Sequence, residues 1–161
     1  MPTDDLDATD LRILAALQED GRLTNVELAE RIHLSASPCL RRTRRLEADG
    51  VIRGYRAELE RAKVGLGLTV FVDIRVAHHS RQNAAELGEA LAAIPGVVAC
   101  HMVSGVADFL AEIVVPDLAA YEQLLTERLL TLPMIADVRS NVALRTVKAH
   151  GPLPLPPPLP G

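Results

Sequence analysis

Residues 24–50 read TNVELAERIHLSASPCLRRTRRLEADG and have the pattern of two short helices joined by a tight turn. Thr24 and Glu27 have the spacing of a capping box, which predicts the start of the first of these helices. Ser35 is a typical cap residue, and Pro38 falls in the first turn of the second helix, where proline is tolerated. The pattern predicts a helix-turn-helix.

The residues before this pair predict a third helix. Its apolar residues recur at short helical spacing and end before Gly21; they are Leu11, Ile13, Leu14 and Leu17. In the last of the three helices, Cys39 shares an apolar side with Thr43 and Leu46. We therefore expect Cys39 to be a buried thiol rather than a reactive one.

The other side of the last helix is basic, although the whole chain has a net charge of −4. Residues 41–56 hold six arginines against two acidic residues, and three of these arginines, Arg41, Arg44 and Arg45, project from the helix. Small residues at the helix start can meet phosphates or base edges in a major groove; these are Ser35, Ala36 and Ser37. We predict that this helix binds double-stranded DNA, and the alternative is a solvated basic face.

The second half of the chain predicts the order β-α-β-β-α-β. The predicted elements lie at residues 69–77, 81–94, 97–103, 108–115, 117–132 and 136–148. Right-handed crossovers place both helices on one face of a four-stranded antiparallel sheet, a ferredoxin-like sandwich in an α+β protein. The first strand has more aliphatic surface than one helix layer needs, so we expect an apolar row on the uncovered face that drives self-association; the row is Val70, Val72, Ile74 and Val76.

These patterns divide the chain into four segments. We predict a winged-type helix-turn-helix domain at 1–60, a linker at 61–67, a ferredoxin-like domain at 68–148 and a proline-rich tail at 149–161. A short strand at 51–59 would end the first domain. The last 11 residues of the tail hold six prolines, so we expect an extended, disordered segment; recognition by a proline-binding module is the alternative.

Composition argues against several other classes of protein. No uncharged apolar run is long enough to span a membrane and the chain starts with acidic residues, so we expect a cytoplasmic protein without membrane contact. The spacing of Cys39 and Cys100 fits no disulfide scaffold, zinc site or redox motif. No nucleophile, base and orienting group share a motif, and we expect no metal, no cofactor and no catalytic residue.

Several motifs together resemble the Lrp/AsnC, or feast/famine, family of transcription regulators. The first half carries L-D-x-x-D-x-x-I-L from Leu6, L-S-x-S-P from Leu34 and R-L-E-x-x-G-V-I from Arg45. The second half carries I-P-G-V from Ile94 and G-x-x-D-F-L from Gly105. The resemblance covers most of the chain and leaves out the proline-rich tail.

The resemblance implies homodimers of ferredoxin-like domains, often assembled further into octamers, with a small effector, commonly an amino acid, bound between subunits. A turn between two strands is our candidate effector site; its residues are Gly105, Val106, Ala107 and Asp108. Gly105 lets the backbone approach a carboxylate, and Asp108 offers an acceptor for an ammonium group; the alternative is an ordinary turn capped by Asp108. Ser140 keeps a hydroxyl where the family commonly has threonine, whereas Met134 departs from the usual Pro-Gly-Val turn.

Two other functions are compatible with this resemblance. Sirohaem decarboxylases resemble the family in both halves of the chain, but the arginine-rich helix favours a regulator over such an enzyme. The other alternative is an amino-acid sensor that does not bind DNA. We therefore expect a DNA-binding regulator that is not an enzyme.

Overall fold

The structure is a computed structural model that describes residues 6–78, 80–149 and 151–155. Residues 1–5 of the predicted first domain, and residues 150 and 156–161 of the predicted tail, lie outside this description. The chain divides into a helical unit, Met1–Glu58 with Lys148–Gly161, and a sheet unit, Leu59–Val147. Within the described ranges, no helix has both the length and the apolar character needed to cross a membrane.

Three helices form the helical unit. They are α1 (Ala8–Glu19), α2 (Asn25–Arg31) and α3 (Ala36–Ala48). Ile13 of α1, Cys39 and Leu46 of α3 are fully buried against one another and against the apolar side of α2. Burial raises the pKa of the Cys39 thiol, so this residue is the inert core cysteine that the sequence predicts.

The two helix starts of the helix-turn-helix differ. The predicted capping box of α2 is confirmed, because Glu27 N donates to Thr24 Oγ1 at 3.3 Å and Thr24 N donates to Glu27 Oε2 at 2.7 Å. Ser35 is the N-cap residue of α3, as the sequence predicts, but its hydroxyl makes no capping hydrogen bond. The third residue of α3 is Pro38, which has no N–H to donate to a cap.

The sheet unit contains four antiparallel strands and two helices, and confirms the predicted β-α-β-β-α-β order. The elements are β1 (Leu68–Val76), α4 (Arg81–Ala92), β2 (Val97–Met102), β3 (Phe109–Val115), α5 (Leu118–Leu124) and β4 (Ile135–Val142). The strand order is β2-β3-β1-β4, so β1 lies at the centre although it comes first in sequence. A 3₁₀ helix at Arg61–Val64 precedes β1, and α5 continues into a π-helical turn at Leu125–Leu129.

The expected apolar row on the uncovered face of the sheet is wrong. The aliphatic side chains of β1 are buried in one core with residues of α4 and α5, including Leu87, Leu91 and Tyr121. The alternate residues of β1 face the other way, and they include Phe71, Asp73 and Arg75. The open face is therefore a mixture of charged residues and a few apolar side chains, because the helix layer covers the whole aliphatic row.

Two predicted strands differ from the structure. Residues 51–59 form no strand, because they pair with no other segment in the described part of the chain and Gly54 has a φ of 147°. The last strand ends at Val142 rather than at residue 148. Ala143 N still donates to Thr69 O at 2.9 Å, but β1 begins only one residue earlier and offers no further partner.

Candidate functional site

The start of α3 presents small, exposed residues. Ser35, Ala36 and Ser37 are all exposed, as the prediction of a groove-reading helix start requires. The Ser35 hydroxyl is not used by the helix cap, and the backbone N–H groups of the first turn have no intrahelical partner. These groups can donate to or accept from a nucleic acid without breaking a bond of the fold.

The predicted arginines of α3 fall into two classes. Arg41 and Arg44 are exposed and form no ion pair with any residue that the structure describes. Arg45, in contrast, donates to a carboxylate oxygen of Asp10 at 2.5 Å. Arg42, which the sequence analysis did not select, donates to Asp10 at 3.0 Å and to Asp7 at 2.6 Å.

Asp10 is a residue of this interface that the sequence analysis did not select. Its side chain is only 1% exposed, so its charge is buried between α1 and α3. The two arginines compensate that charge, and the backbone N–H of Asp7 donates to the same carboxylate. A capping-box spacing, Asp7 followed three residues later by Asp10, was the available signal for this arrangement.

The charges of this cluster reinforce one another. The pKa of Asp7 is lowered, mainly by the hydrogen bond from the Asp10 backbone N–H and also by the guanidinium of Arg42. Hydrogen bonds to Asp10 and Asp7 raise the pKa of Arg42. The cluster fixes the orientation of α3 against α1, and with it the direction in which Arg41 and Arg44 project.

The candidate effector turn joins β2 to β3. Gly105 and Val106 are exposed, with Val106 82% exposed, and Ala107 is partly buried. Gly105 has a φ of 123°, a conformation that side chains rarely adopt, but an added Cβ would meet no atom within 4 Å. In this chain Gly105 is required by the backbone conformation and not by a close neighbour.

Asp108 attaches the end of this turn to the central strand. Its carboxylate accepts from Val76 N at 2.8 Å, and its own N–H donates to Ile74 O at 3.0 Å. Its carbonyl accepts from Val103 N at 3.0 Å, which closes the turn. Asp108 therefore holds the turn against β1, which is the structural role that the alternative interpretation gave it.

A cleft of about 370 Å³ opens beside Asp108. Its wall is largely apolar, with polar atoms from Asp108 and from Ser80, the cap residue of α4; the lining residues are Val76, Ser80, Ala84, Met102, Val103, Asp108 and Phe109. Of the predicted effector residues, only Asp108 lines this cleft. Its volume is within the range of about 300–1,000 Å³ that is usual for small-molecule sites.

Ser140 is not brought together with the turn. It pairs with Val72 on the β4 side of β1, whereas Asp108 bonds the β3 side of β1 near its end. The Ser140 hydroxyl lies 2.5 Å from the Tyr121 phenol oxygen, on the face of the sheet that α5 covers. The structure thus gives this hydroxyl a partner within the sheet unit.

Comparison with known sequences gives a match for each half of the chain. The family "Lrp/AsnC ligand binding domain" matches residues 69–153, and "Winged helix-turn-helix DNA-binding" matches residues 6–53. The leucine-responsive regulatory protein of Rhizobium meliloti is 44% identical over 144 residues, which cover 89% of this chain and 92% of that protein. Its namesake from Escherichia coli K12 is 43% identical over 147 residues, covering 91% and 90%.

Solved structures give the same result. A transcriptional regulator of Neisseria meningitidis in complex with L-Met matches with a TM-score of 0.87 and 37% identity, covering 92% of this chain and 96% of that chain. An AsnC family transcriptional regulator of Agrobacterium tumefaciens matches with a TM-score of 0.87 and 40% identity, covering 92% and 97%.

Proposed function

This chain belongs to the Lrp/AsnC family of DNA-binding transcription regulators, and we propose that its DNA binding responds to a free amino acid held in the cleft beside Asp108. The relatives are named regulatory proteins, so the chain is a regulator and not a decarboxylase-like enzyme. Its ligand-binding half and its helix-turn-helix half supply the two binding functions that such a regulator combines.

For the DNA contact, we propose that α3 enters the major groove. The observation that carries this proposal is the pairing pattern of the arginines: Arg41 and Arg44 are exposed without an ion-pair partner in the described residues, next to the free helix start at Ser35–Ser37. Arg45 contacts DNA only when its hydrogen bond to Asp10 is broken.

Selection from a pool of random double-stranded DNA by the full chain tests this interface. We expect a defined sequence to be enriched, with affinity that falls steeply as the salt concentration rises. Amino-acid binding without any DNA binding would instead support the sensor that lacks a DNA partner.

The cleft supports the amino-acid proposal because both polar groups and apolar side chains line it. The Asp108 carboxylate lines the cleft and is the kind of acceptor that an ammonium group favours. Ser80 places the N-terminus of α4 at the cleft, and free N–H groups at a helix start favour a carboxylate. Met102 and Phe109 provide an apolar wall for a side chain. That the Neisseria regulator was solved with L-Met supports the same class of ligand.

Thermal-shift titration of the full chain with the twenty protein amino acids tests the effector proposal. A ligand at about 100 times its dissociation constant should add about 2.7 kcal/mol to the free energy of unfolding. Asp108→Asn keeps an oxygen for Val76 N but removes the charge, so we expect the affinity of the active amino acid to fall at least about tenfold.

Three further variants test where the amino acid binds. Met102→Ala removes part of the apolar wall and should also weaken binding, whereas Val106→Ala, on the same turn but outside the cleft, should not. Normal affinity in both Asp108→Asn and Met102→Ala would contradict the cleft assignment. A loss of affinity in Ser140→Ala alone would place the effector under α5 instead.

We further propose a homodimer formed through the open face of the sheet, with the octamer as the assembly that the family resemblance implies. Phe71, at the centre of this face, is 40% exposed. Charges of opposite sign alternate around it, since Asp73 pairs with Arg139 and Arg75 pairs with Asp137 across β1 and β4. A second copy related by a two-fold axis can match such a pattern with itself.

A further inference from the structure

The proline-rich C-terminal segment has no role in the function proposed above, yet its described part belongs to the helical unit. The chain leaves the helical unit after Glu58, forms the whole sheet unit and returns at Lys148. Residues 151–155 then lie against α1 rather than continuing the sheet, whose last strand ends at Val142. Leu155 is partly buried.

One side chain holds this segment at two points. The N–H of Leu153 donates to Gln18 Oε1 at 2.6 Å, and the Leu153 carbonyl accepts from Gln18 Nε2 at 3.3 Å. A side-chain amide that bonds both backbone groups of one residue reproduces the exchange of hydrogen bonds between paired strands. The contact joins residues 135 positions apart in sequence.

The flanking prolines restrict the backbone of Leu153 to the conformation that this contact requires. Leu153 stands between Pro152 and Pro154, neither of which has a backbone N–H. A residue before proline is restricted to extended conformations, in which its N–H and carbonyl point to the same side of the chain. Little conformational entropy therefore remains to be lost when Gln18 binds these two groups.

We propose that residues 151–155 are a clasp, an intramolecular ligand of α1 that is recognised through the backbone of Leu153 by Gln18. When the clasp is docked, the segment that follows Lys148 is fixed on α1 through Gln18, within the helical unit. This inference does not depend on the identity of the effector or of the DNA sequence.

Amide hydrogen exchange at Leu153, measured by NMR on the full chain, tests the clasp. We expect this amide to exchange about tenfold more slowly than in a free peptide of residues 149–161. Gln18→Ala should restore the peptide rate, whereas Gln18→Glu keeps the acceptor oxygen and should retain part of the protection. Gln18 is exposed and alanine is a strong helix former, so α1 should stay folded.

Two further variants test whether a change in Leu153 exchange comes from loss of the clasp or from a general effect of a substitution on the fold. Gln123→Ala removes a carboxamide that bonds only Glu127 in the sheet unit, and it should leave Leu153 exchange unchanged. Leu153→Pro removes the N–H that the tail donates to Gln18. This variant should shift the Gln18 side-chain amide resonances without altering the three helices. Exchange at the peptide rate in the unmodified chain, or full protection in Gln18→Ala, would overturn the proposal.

Discussion

Asp10 determines which arginines of α3 are available to a nucleic acid. Its buried carboxylate binds Arg42 and Arg45, and these two guanidinium groups fix α3 on α1. Arg41 and Arg44 form no ion pair with any of the described residues. One buried acid thus divides a run of similar basic side chains into a structural pair and a pair that faces solvent.

This division predicts different effects for neighbouring arginines. Arg44→Ala should lower the slope of log affinity against log salt concentration by about 0.9, because one phosphate contact is lost, and should leave stability nearly unchanged. Arg45→Ala should instead lower the free energy of unfolding of the helical unit by about 1–3 kcal/mol, because Asp10 loses a partner. DNA titrations at several salt concentrations and urea unfolding of both variants measure the two effects. Equal salt slopes in Arg44→Ala and the unmodified chain would contradict this assignment.

The lowered pKa of Asp7 makes the stability of the helical unit depend on pH. A carboxyl group whose pKa is lower in the folded chain stabilises it above its ordinary pKa of 3.8, and this contribution is lost as the pH falls through the folded value. Asp7→Asn keeps a good helix cap but removes the charge. We expect the variant to be less stable than the unmodified chain at pH 7 and the difference to shrink at pH 3, as measured by urea unfolding at both values. A difference that grows on acidification would be inconsistent with this account.

At the level of helices, strands and turns, local patterns predicted most of the fold. The alternation of β1 and the capping box of α2 are short-range signals, and both appear in the structure. The strand predicted at 51–59 failed because a strand also needs a partner, and no local pattern supplies one. Ser35 occupies the predicted N-cap position of α3, but Pro38, the third residue of the helix, has no N–H for the Ser35 hydroxyl to accept.

The candidate site was less predictable than the fold because its contacts are distant in sequence. Asp10 and Arg45 are 35 residues apart, so no local pattern shows that their side chains meet. The cleft beside Asp108 is lined from α4, β2 and the end of β1 as well as from the predicted turn. Only the packed sheet unit brings these segments together, so sequence patterns found one of its residues.

The turn between α2 and α3 contains a residue in a strained conformation. His33 has a φ of 55°, which costs a residue with a side chain about 1–2 kcal/mol relative to ordinary helical backbone. His33→Gly removes that strain but adds conformational entropy to the unfolded chain, so we expect a net gain of about 0.5–1 kcal/mol in the free energy of unfolding. Urea unfolding measures the gain, and His33→Val should show the opposite sign. A loss of stability in His33→Gly would reveal a stabilising contact of the imidazole.

For the whole molecule, the open face of the sheet is the proposed route to assembly. Phe71→Glu places a charge at the centre of this face without entering the core, so we expect it to dissociate the homodimer while the sheet unit stays folded. Leu118→Glu is the matched control, because Leu118 is 65% exposed and lies on α5, on the other side of the sheet. Light scattering gives the mass of each variant. An unchanged mass for Phe71→Glu, with a mass that falls for Leu118→Glu, would move the interface to the helix face.

The central position of β1 also affects how the chain folds during its synthesis. The ribosome delivers β1 long before β4, yet these two strands pair along most of their length. The three helices α1 to α3 come first in the sequence and can fold early, whereas one edge of β1 keeps unpaired N–H and carbonyl groups until translation reaches β4. That edge belongs to a nine-residue strand in which aliphatic residues recur at alternate positions, a good template for another chain. Chains that terminate prematurely before β4 should therefore form aggregates seeded by β1, even though their helix-turn-helix is already folded.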